Sequence, residues 1–353
     1  MPDRPFLVLV GGFLGAGKTT LLLRAARMLH DRGWRAAVIT NDQGGALVDT
    51  RLAAAAGVDA GEIAGACFCC RFSDFVAAAR ALLPLQPDVI LAEPVGSCTD
   101  LSATVLQPLK ELHAGEFRIA PYSVLVDPRR AAEMTDPLLT YLYEKQIAEA
   151  DLVLLAKSDL LSAADPEAPA GLRGARRISA ATGQGVAEWL DEILSGRLPV
   201  GEKLLDIDYA QYAAAEAALG WLNWEGKLQL EAPLPPASIV GPLLDRLDAE
   251  LTEAGAAIAH LKIFDQSPAG YIRAGICRNG DEPSVEGDLL AAPSRDHEVV
   301  VNLRASASPA VLELALTRAL GALPAVPRVV HQQAFQPSPP VPEHRYRHLA
   351  AHN

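Results

Sequence analysis

Phe6-Leu7-Val8-Leu9-Val10-Gly11-Gly12-Phe13-Leu14-Gly15-Ala16-Gly17-Lys18-Thr19-Thr20 is the stretch on which the fold turns. Its five leading apolar residues predict a buried strand, and the pattern over Thr19–Asp31 predicts a helix directly after it. Between them, Gly12–Thr19 fits GxxxxGK[ST], a loop whose successive backbone N–H groups face a β-phosphate. Glycines let the chain curl there, and the helix N-terminus adds a favourable dipole. Lys18 then spans β- and γ-phosphate oxygens, the Thr19 hydroxyl ligates Mg²⁺, and Gly12, Gly15, Ala16, Gly17 and Thr20 complete the cradle. A chance glycine-rich turn would not put strand, loop, Lys-Thr and helix in this register.

Outward from the loop, apolar runs recur at Phe6–Val10, Arg35–Thr40, Asp88–Ala92, Ile119–Val126, Leu152–Ala156 and Arg176–Ser179, with helical patterns between most of them. Such alternation predicts an α/β P-loop NTPase domain whose mostly parallel sheet is covered on both faces. After Gly201 the character changes, and the order β-α-β-β-β-α-β predicts a smaller α+β domain. The expected division is residues 1–200, 201–335 and a tail 336–353 whose Pro337–Pro342 segment reads as extended or disordered. A length of 353 residues suits two units of ~100–200 each.

Half the residues are apolar and 21% are charged, which excludes a chain disordered throughout. No apolar run reaches the ~18–20 residues that span a bilayer. The N-terminal run breaks at Gly11-Gly12 and meets Lys18 without a cleavage pattern, so secretion is not expected. A net charge of −12 argues against a nucleic-acid partner held by bulk electrostatics. Five cysteines, three of them within four positions, do not make a disulfide framework, and the expected setting is the cytoplasm with reduced thiols.

Three further stretches carry chemistry. Asp88-Val-Ile-Leu-Ala-Glu93-Pro-Val-Gly96 is a buried strand ending in a carboxylate. There Glu93 is placed to hold Mg²⁺ or its water and the Gly96 N–H to meet a γ-phosphate; the plainer reading is a solvated glutamate before a turn. Leu154-Leu-Ala156-Lys157-Ser158-Asp159 has the form of a guanine-reading loop, in which Asp159 accepts from N1–H and N2–H₂ and the Lys157 stem lies along the base. The Ser179-Ala180 loop follows twenty residues on, in reach of guanine O6. Cys67-Phe68-Cys69-Cys70 offers three soft ligands, of the kind that favours Zn²⁺, Cu(I) and similar ions, with a fourth position open and Zn²⁺ or Co²⁺ the expected occupant. Buried cysteines acting as small hydrophobes, and a redox pair Cys67/Cys70, are the alternatives. Lone Cys98 and Cys277 read as core residues.

Together Gly12–Thr19, Asn41-Asp42-Gln43-Gly44, Cys67-x-Cys69-Cys70, Glu93-x-x-Gly96, Lys157-Ser-Asp159 and Ser179-Ala180 resemble the CobW-type metallochaperone GTPases, relatives of the urease and hydrogenase nickel-insertion GTPases. The resemblance runs from about Phe6 to Leu194. It implies a GTP-hydrolysing domain that binds a transition metal through its cysteines and delivers it to a client metalloprotein or a cobalamin-related protein, with Asp42 as a Mg²⁺ neighbour. A homodimer is compatible with it. Departures are Ala156 where the guanine loop usually has Asn, Ala66 before the cysteines, and Asp42-Gln43 in the switch.

Two other classes fit the same residues: a nucleotide-gated adaptor for a corrinoid or metalloenzyme client without metal transfer, and an ATP-dependent P-loop kinase. His344, His348 and His352 would share one face of a helix and gather a metal; a frayed, solvated end is the alternative. Trp221 and Trp224 read as packing between domains, His260 as a satisfied core histidine, and Asp281–Asp288 as a solvated loop.

Overall fold

The computed structural model describes residues 4–42, 48, 59–64, 67–134, 136–161, 172, 175–324 and 326–350. The chain forms two compact units. One comprises Met1–Gln43, Ala56–Ala215 and Pro339–Asn353; the other comprises Gly44–Ala55 and Glu216–Ser338. The first thus runs past residue 200 and takes back the C-terminal segment. No helix among the described residues is long and apolar enough to cross a membrane.

The first unit is built on β1 (Phe6–Gly12), β2 (Ala36–Asp42), β3 (Asp59–Ala64), β4 (Val89–Ala92), β5 (Arg118–Ile119), β6 (Ser123–Val126), β7 (Leu152–Leu155) and β8 (Arg176–Arg177). Their order is β3-β2-β4-β1-β6-β7-β8, with β5 beside β1, and every pairing is parallel. Leu7, Val8, Leu9 and Val10 of the central strand are fully buried, as a sheet covered on both faces requires. The helix Lys18–Asp31 buries Leu21, Leu22, Ala25, Ala26 and Leu29, a helical spacing against one face. The run expected as one strand over Ile119–Val126 splits into β5 and β6, because Pro121 has no N–H for the ladder. The edge strand β3 goes unread in the sequence: Asp59-Ala-Gly-Glu-Ile-Ala offers one large apolar residue in six.

The second unit is a six-stranded sheet in the order β12-β11-β10-β13-β9-β14, antiparallel throughout. Its strands are β9 (Gly220–Leu234), β10 (Ile258–Ser267), β11 (Gly270–Ile276), β12 (Ser284–Gly287), β13 (Ser294–Ala305) and β14 (Arg328–Phe335). Helices Ala237–Glu253 and Pro309–Gly321 share a core with it: Ile239, Leu243, Leu247, Leu312 and Leu316 meet Trp224, Leu261, Ile263, Val299 and Val301. Trp224 therefore belongs to the unit's own core, and Trp221 is covered by the Arg304 guanidinium at 4.1 Å. β12 lies inside the acidic stretch read as a loop, because its pairing with β11 is invisible in the local pattern.

Candidate functional site

Parallel strands put their carboxyl ends on one edge of the sheet, and the loops that follow them gather there. In sheet order these are the cysteine loop after β3, Asn41 and Asp42 ending β2, Glu93 after β4, the Gly12–Lys18 loop after β1, Asp127 after β6, Lys157 after β7 and Ser179 after β8. The Asp42 side chain, Gln43-Gly44, Ala66 and His352 lie outside the described residues.

Backbone geometry explains the glycines of the first loop. Gly12 has φ +133°, and a Cβ there would meet Leu125 O at 2.5 Å. Gly17 takes φ +98° as the residue capping the helix, a conformation that disfavours any L side chain. Lys18 Nζ donates to Gly12 O at 2.8 Å and Phe13 O at 3.3 Å. Thr19 Oγ1 donates to Glu93 Oε1 at 2.7 Å, with both residues buried. A Cβ on Gly96 would sit 3.0 Å from Lys18 Nζ and 3.0 Å from Leu14 N, so only glycine lets this loop close on the P-loop. Lys18, Thr19, Glu93 and Gly96, named from two separate stretches, are thus one cluster.

The loop from Glu93 to Ser102 is clamped by residues no motif announced. Gln146, 1% exposed on the helix Pro137–Glu149, donates from Nε2 to Gly96 O at 3.0 Å and Cys98 O at 2.9 Å. Glu149 on the same helix accepts from Thr99 Oγ1 and Ser102 N, both at 3.1 Å. Burial pushes the Glu149 carboxyl up to about 8; the N–H of Ser102 and the Thr99 hydroxyl pull against that, and the charge of Asp100 adds to it. Thr99 N donates to Tyr212 Oη at 3.1 Å, and Asp100 holds φ +63° with Oδ2 accepting from Tyr209 Oη at 2.8 Å. Cys98, expected as a core residue, is 1% exposed; Cys277 is only partly buried.

At the guanine-type loop, Lys157 sits at φ +54° and pairs through Nζ with Asp127 Oδ2 at 2.8 Å. Asp127 also caps the helix Pro128–Glu133 by accepting from Arg129 N. Ser158 N donates to Ile178 O at 3.2 Å, and Ser158 Oγ reaches Gln184 Oε1 at 3.3 Å. These contacts brace the loop although Ala156, buried at 2%, offers no side-chain amide. Asp159 is exposed at the strand end. Ser179 is buried and its Oγ accepts from Thr182 N, while Ala180 O accepts from Arg24 Nε at 3.1 Å. Asp127 was readable only as Val126-Asp-Pro at a strand end, a helix-cap signal rather than a base-site one.

The three clustered cysteines converge. Their sulfurs all lie within 4.8 Å of one another, with Cys67 and Cys69 buried and Cys70 half-buried. The Cys67 and Cys69 sulfurs are drawn together as a disulfide, and Cys70 Sγ is 3.6 Å from each. Reduced, the same three sulfurs present one face to a soft cation. Asn41 braces this loop from β2, accepting from Phe68 N at 3.2 Å and donating to Ile63 O at 3.0 Å. Phe68 stacks on Phe75 with centroids 4.2 Å apart, which fixes the loop on the helix Phe72–Leu82. His344 and His348 are not on a helix: residues 336–350 are irregular, with bends at 343 and 347–348, and the His344 ring lies edge-on to Phe72 at 5.1 Å. Among the described residues, the cysteine trio is the metal-competent cluster.

Residues 6–178 match the family model described as CobW/HypB/UreG, nucleotide-binding domain. Among curated relatives, the chain is 32% identical over 160 residues to the zinc chaperone YeiR of Escherichia coli, covering 43% of this chain and 46% of that one. It is 31% identical over 189 residues to the zinc chaperone CobW of Pseudomonas aeruginosa, covering 44% and 50%. The chain thus spans about half the length of the curated relatives it matches. Among solved structures, HypB from Helicobacter pylori in complex with nickel is similar at 18% identity and a TM-score of 0.42, covering 54% of this chain and 86% of that one. The P-loop cluster lies within the matched span: residues 6–178, just under half of the chain, match the nucleotide-binding domain of the CobW/HypB/UreG family.

Proposed function

We propose that the chain is a GTP-hydrolysing metallochaperone of the cytoplasm that carries Zn²⁺ on Cys67, Cys69 and Cys70 and hands it to a client protein. The observation that carries this reading is the convergence of three sulfurs in the same compact unit as the Lys18–Thr19–Glu93–Gly96 cluster. The names of the curated relatives support zinc as the cargo.

Within the nucleotide site, Lys18 neutralises charge on the β- and γ-phosphate oxygens, and Gly96, whose carbonyl accepts from Gln146, offers its N–H to the third phosphate. Thr19 Oγ1 and Glu93 Oε1, 2.7 Å apart in a buried setting, are hard oxygen donors of the kind Mg²⁺ takes, with Asp42 at the neighbouring strand end. That ion supplies charge neutralisation on the phosphate oxygens. Glu93 orients the attacking water. Lys157, steadied by Asp127, lies along the guanine plane, while Asp159 accepts from its N1–H and N2–H₂. Three thiolates leave a tetrahedral ion one open position, the arrangement suited to transfer rather than storage.

The test is zinc analysis of reduced protein, parent and Cys69→Ala, together with GTP and ATP turnover with and without added Zn²⁺. One zinc per parent chain, lost in Cys69→Ala, with turnover selective for GTP, is the expected result. Turnover without any zinc bound by the parent would leave a nucleotide hydrolase with no cargo.

A further inference from the structure

Residues 339–350 return to the first unit and bond to two of its loops in succession. At one end Glu343 N donates to Cys69 O at 3.0 Å. The Glu343 carboxylate accepts from Ser73 N at 3.0 Å and Ser73 Oγ at 2.6 Å. It thereby caps the helix Phe72–Leu82, whose own N-cap, Arg71, makes no side-chain cap bond. Two residues on, Arg345 Nε pairs with Asp100 Oδ2 at 2.8 Å while its guanidinium covers the Tyr209 ring at 4.7 Å. Tyr346 N then donates to Ala103 O at 3.0 Å and Ala350 N to Gln107 Oε1 at 2.8 Å.

The Asp100 contact is more than a surface pair. The Asp100 side chain is 1% exposed and its backbone sits at φ +63°, a left-handed conformation that persists only where surroundings impose it. Oδ2 takes both the Tyr209 hydroxyl and Arg345, so removing Arg345 leaves a buried carboxylate with one donor fewer. Asp100 also lies four residues beyond Gly96, on the loop whose carbonyls Gln146 holds at Gly96 and Cys98. The distance along the segment from the cysteine-loop contact to the phosphate-loop contact is two residues.

We propose that residues 339–350 form a strap that transmits nucleotide state to the cysteine loop, with Arg345 and Glu343 as positioning residues at its two grips. When the Gly96–Asp100 loop moves toward a γ-phosphate, Asp100 leaves Arg345, the strap loosens, and Glu343 releases Cys69 and Ser73. The strap therefore shields the thiols in the diphosphate state and uncovers them in the triphosphate state. This rests on Gly96 sensing the γ-phosphate and on the cysteines being the cargo site, as proposed above.

The experiment is alkylation of Cys67, Cys69 and Cys70 by iodoacetamide, followed site by site by mass spectrometry. The protein is the full-length chain, reduced and zinc-free, with GDP or a non-hydrolysable GTP analogue. Arg345→Ala and Glu343→Ala should each speed labelling of the GDP form about tenfold or more, the population shift expected from losing a charge-assisted hydrogen bond. In the parent the GTP analogue should bring the same acceleration; in Arg345→Ala it should add nothing, and Arg345→Lys should restore part of the response. Parent rates that ignore the nucleotide, or an Arg345→Ala chain that still responds as the parent does, overturn the strap. The two substitutions lie at opposite grips, and circular dichroism checks that each variant is folded. Zinc stoichiometry measured on separate, unlabelled portions of the same preparations after Zn²⁺ is added back separates the readings: a chain that binds no zinc sinks the cargo proposal, while the labelling rates still decide the strap.

Discussion

Glu149→Gln should make the protein more stable at high pH and leave it unchanged at low pH. Glu149 is fully buried, and burial raises its carboxyl from an ordinary 4.5 to about 8. Between those values the folded state holds a proton that the unfolded state has lost, so the parent's stability falls as pH rises through that window and is flat on either side. The two values correspond to about 5 kcal/mol at ~1.4 kcal/mol per pH decade. Glutamine is the neutral isostere of the protonated acid: its Oε1 accepts from Ser102 N and its amide donates to the Thr99 hydroxyl, the two partners Glu149 has now. The variant therefore lacks the titration. Denaturant midpoints read by circular dichroism at pH 5, 7 and 9 should diverge steadily, the variant gaining most of its advantage by pH 8 to 9. Parallel pH dependence in parent and variant would falsify the reasoning, since it would mean that Glu149 ionises at its ordinary value despite its burial.

Other substitutions test the site and the second unit. Glu93→Gln should lower GTP turnover about 10²–10³-fold, as losing one preorganised electrostatic group does, with GDP affinity measured by calorimetry nearly unchanged. Asp127→Ala removes the buried carboxylate that pairs with Lys157 and should weaken guanine-nucleotide binding about five- to tenfold, the equivalent of ~1 kcal/mol, without changing maximal turnover. An unchanged dissociation constant would refute the bracing role. In the second unit, His297 Nδ1 lies 2.8 Å from Asp265 Oδ2 with both side chains fully buried. Breaking such a pair leaves an uncompensated buried charge, so His297→Ala should cost about 3–5 kcal/mol in denaturant titration. A loss below about 1 kcal/mol would mean that Asp265 is neutral in the fold.

What the sequence announced and what it concealed divide along a physical line. The P-loop and its strand and helix were legible because glycine spacing, apolar run and helical periodicity are all local, within residues 6–31. The cysteine trio was legible for the same reason. β9 was harder: Leu222, Trp224, Leu228 and Leu230 do alternate toward the core, but Gly226 interrupts the pattern. The clamps on the phosphate loop were not legible at all. Gln146 sits 50 residues from Gly96, and Arg345 sits 245 from Asp100, distances over which one sequence carries no pairing signal. The tail histidines suggested a helical metal face by their spacing of four. The described part of the tail is irregular instead, because Glu343 N and Tyr346 N are spent on carbonyls of other segments and cannot join a helical ladder.

The strand order gives the two halves of the proposed mechanism a physical connection. β2 lies between β3, which leads to the cysteines, and β4, which leads to Glu93. Its last turnless residues include Asn41, whose side chain accepts from the cysteine loop at Phe68 N. β4 ends one residue before Glu93, which is bonded to Thr19 on the P-loop helix. The phosphate site and the cysteine loop are thus braced from neighbouring strand ends of one sheet, and the strap is the link proposed to carry a change from one to the other. Coupling of this kind is reciprocal. If a bound triphosphate alters zinc affinity by some factor, bound zinc must alter triphosphate affinity by the same factor, whatever the path between them.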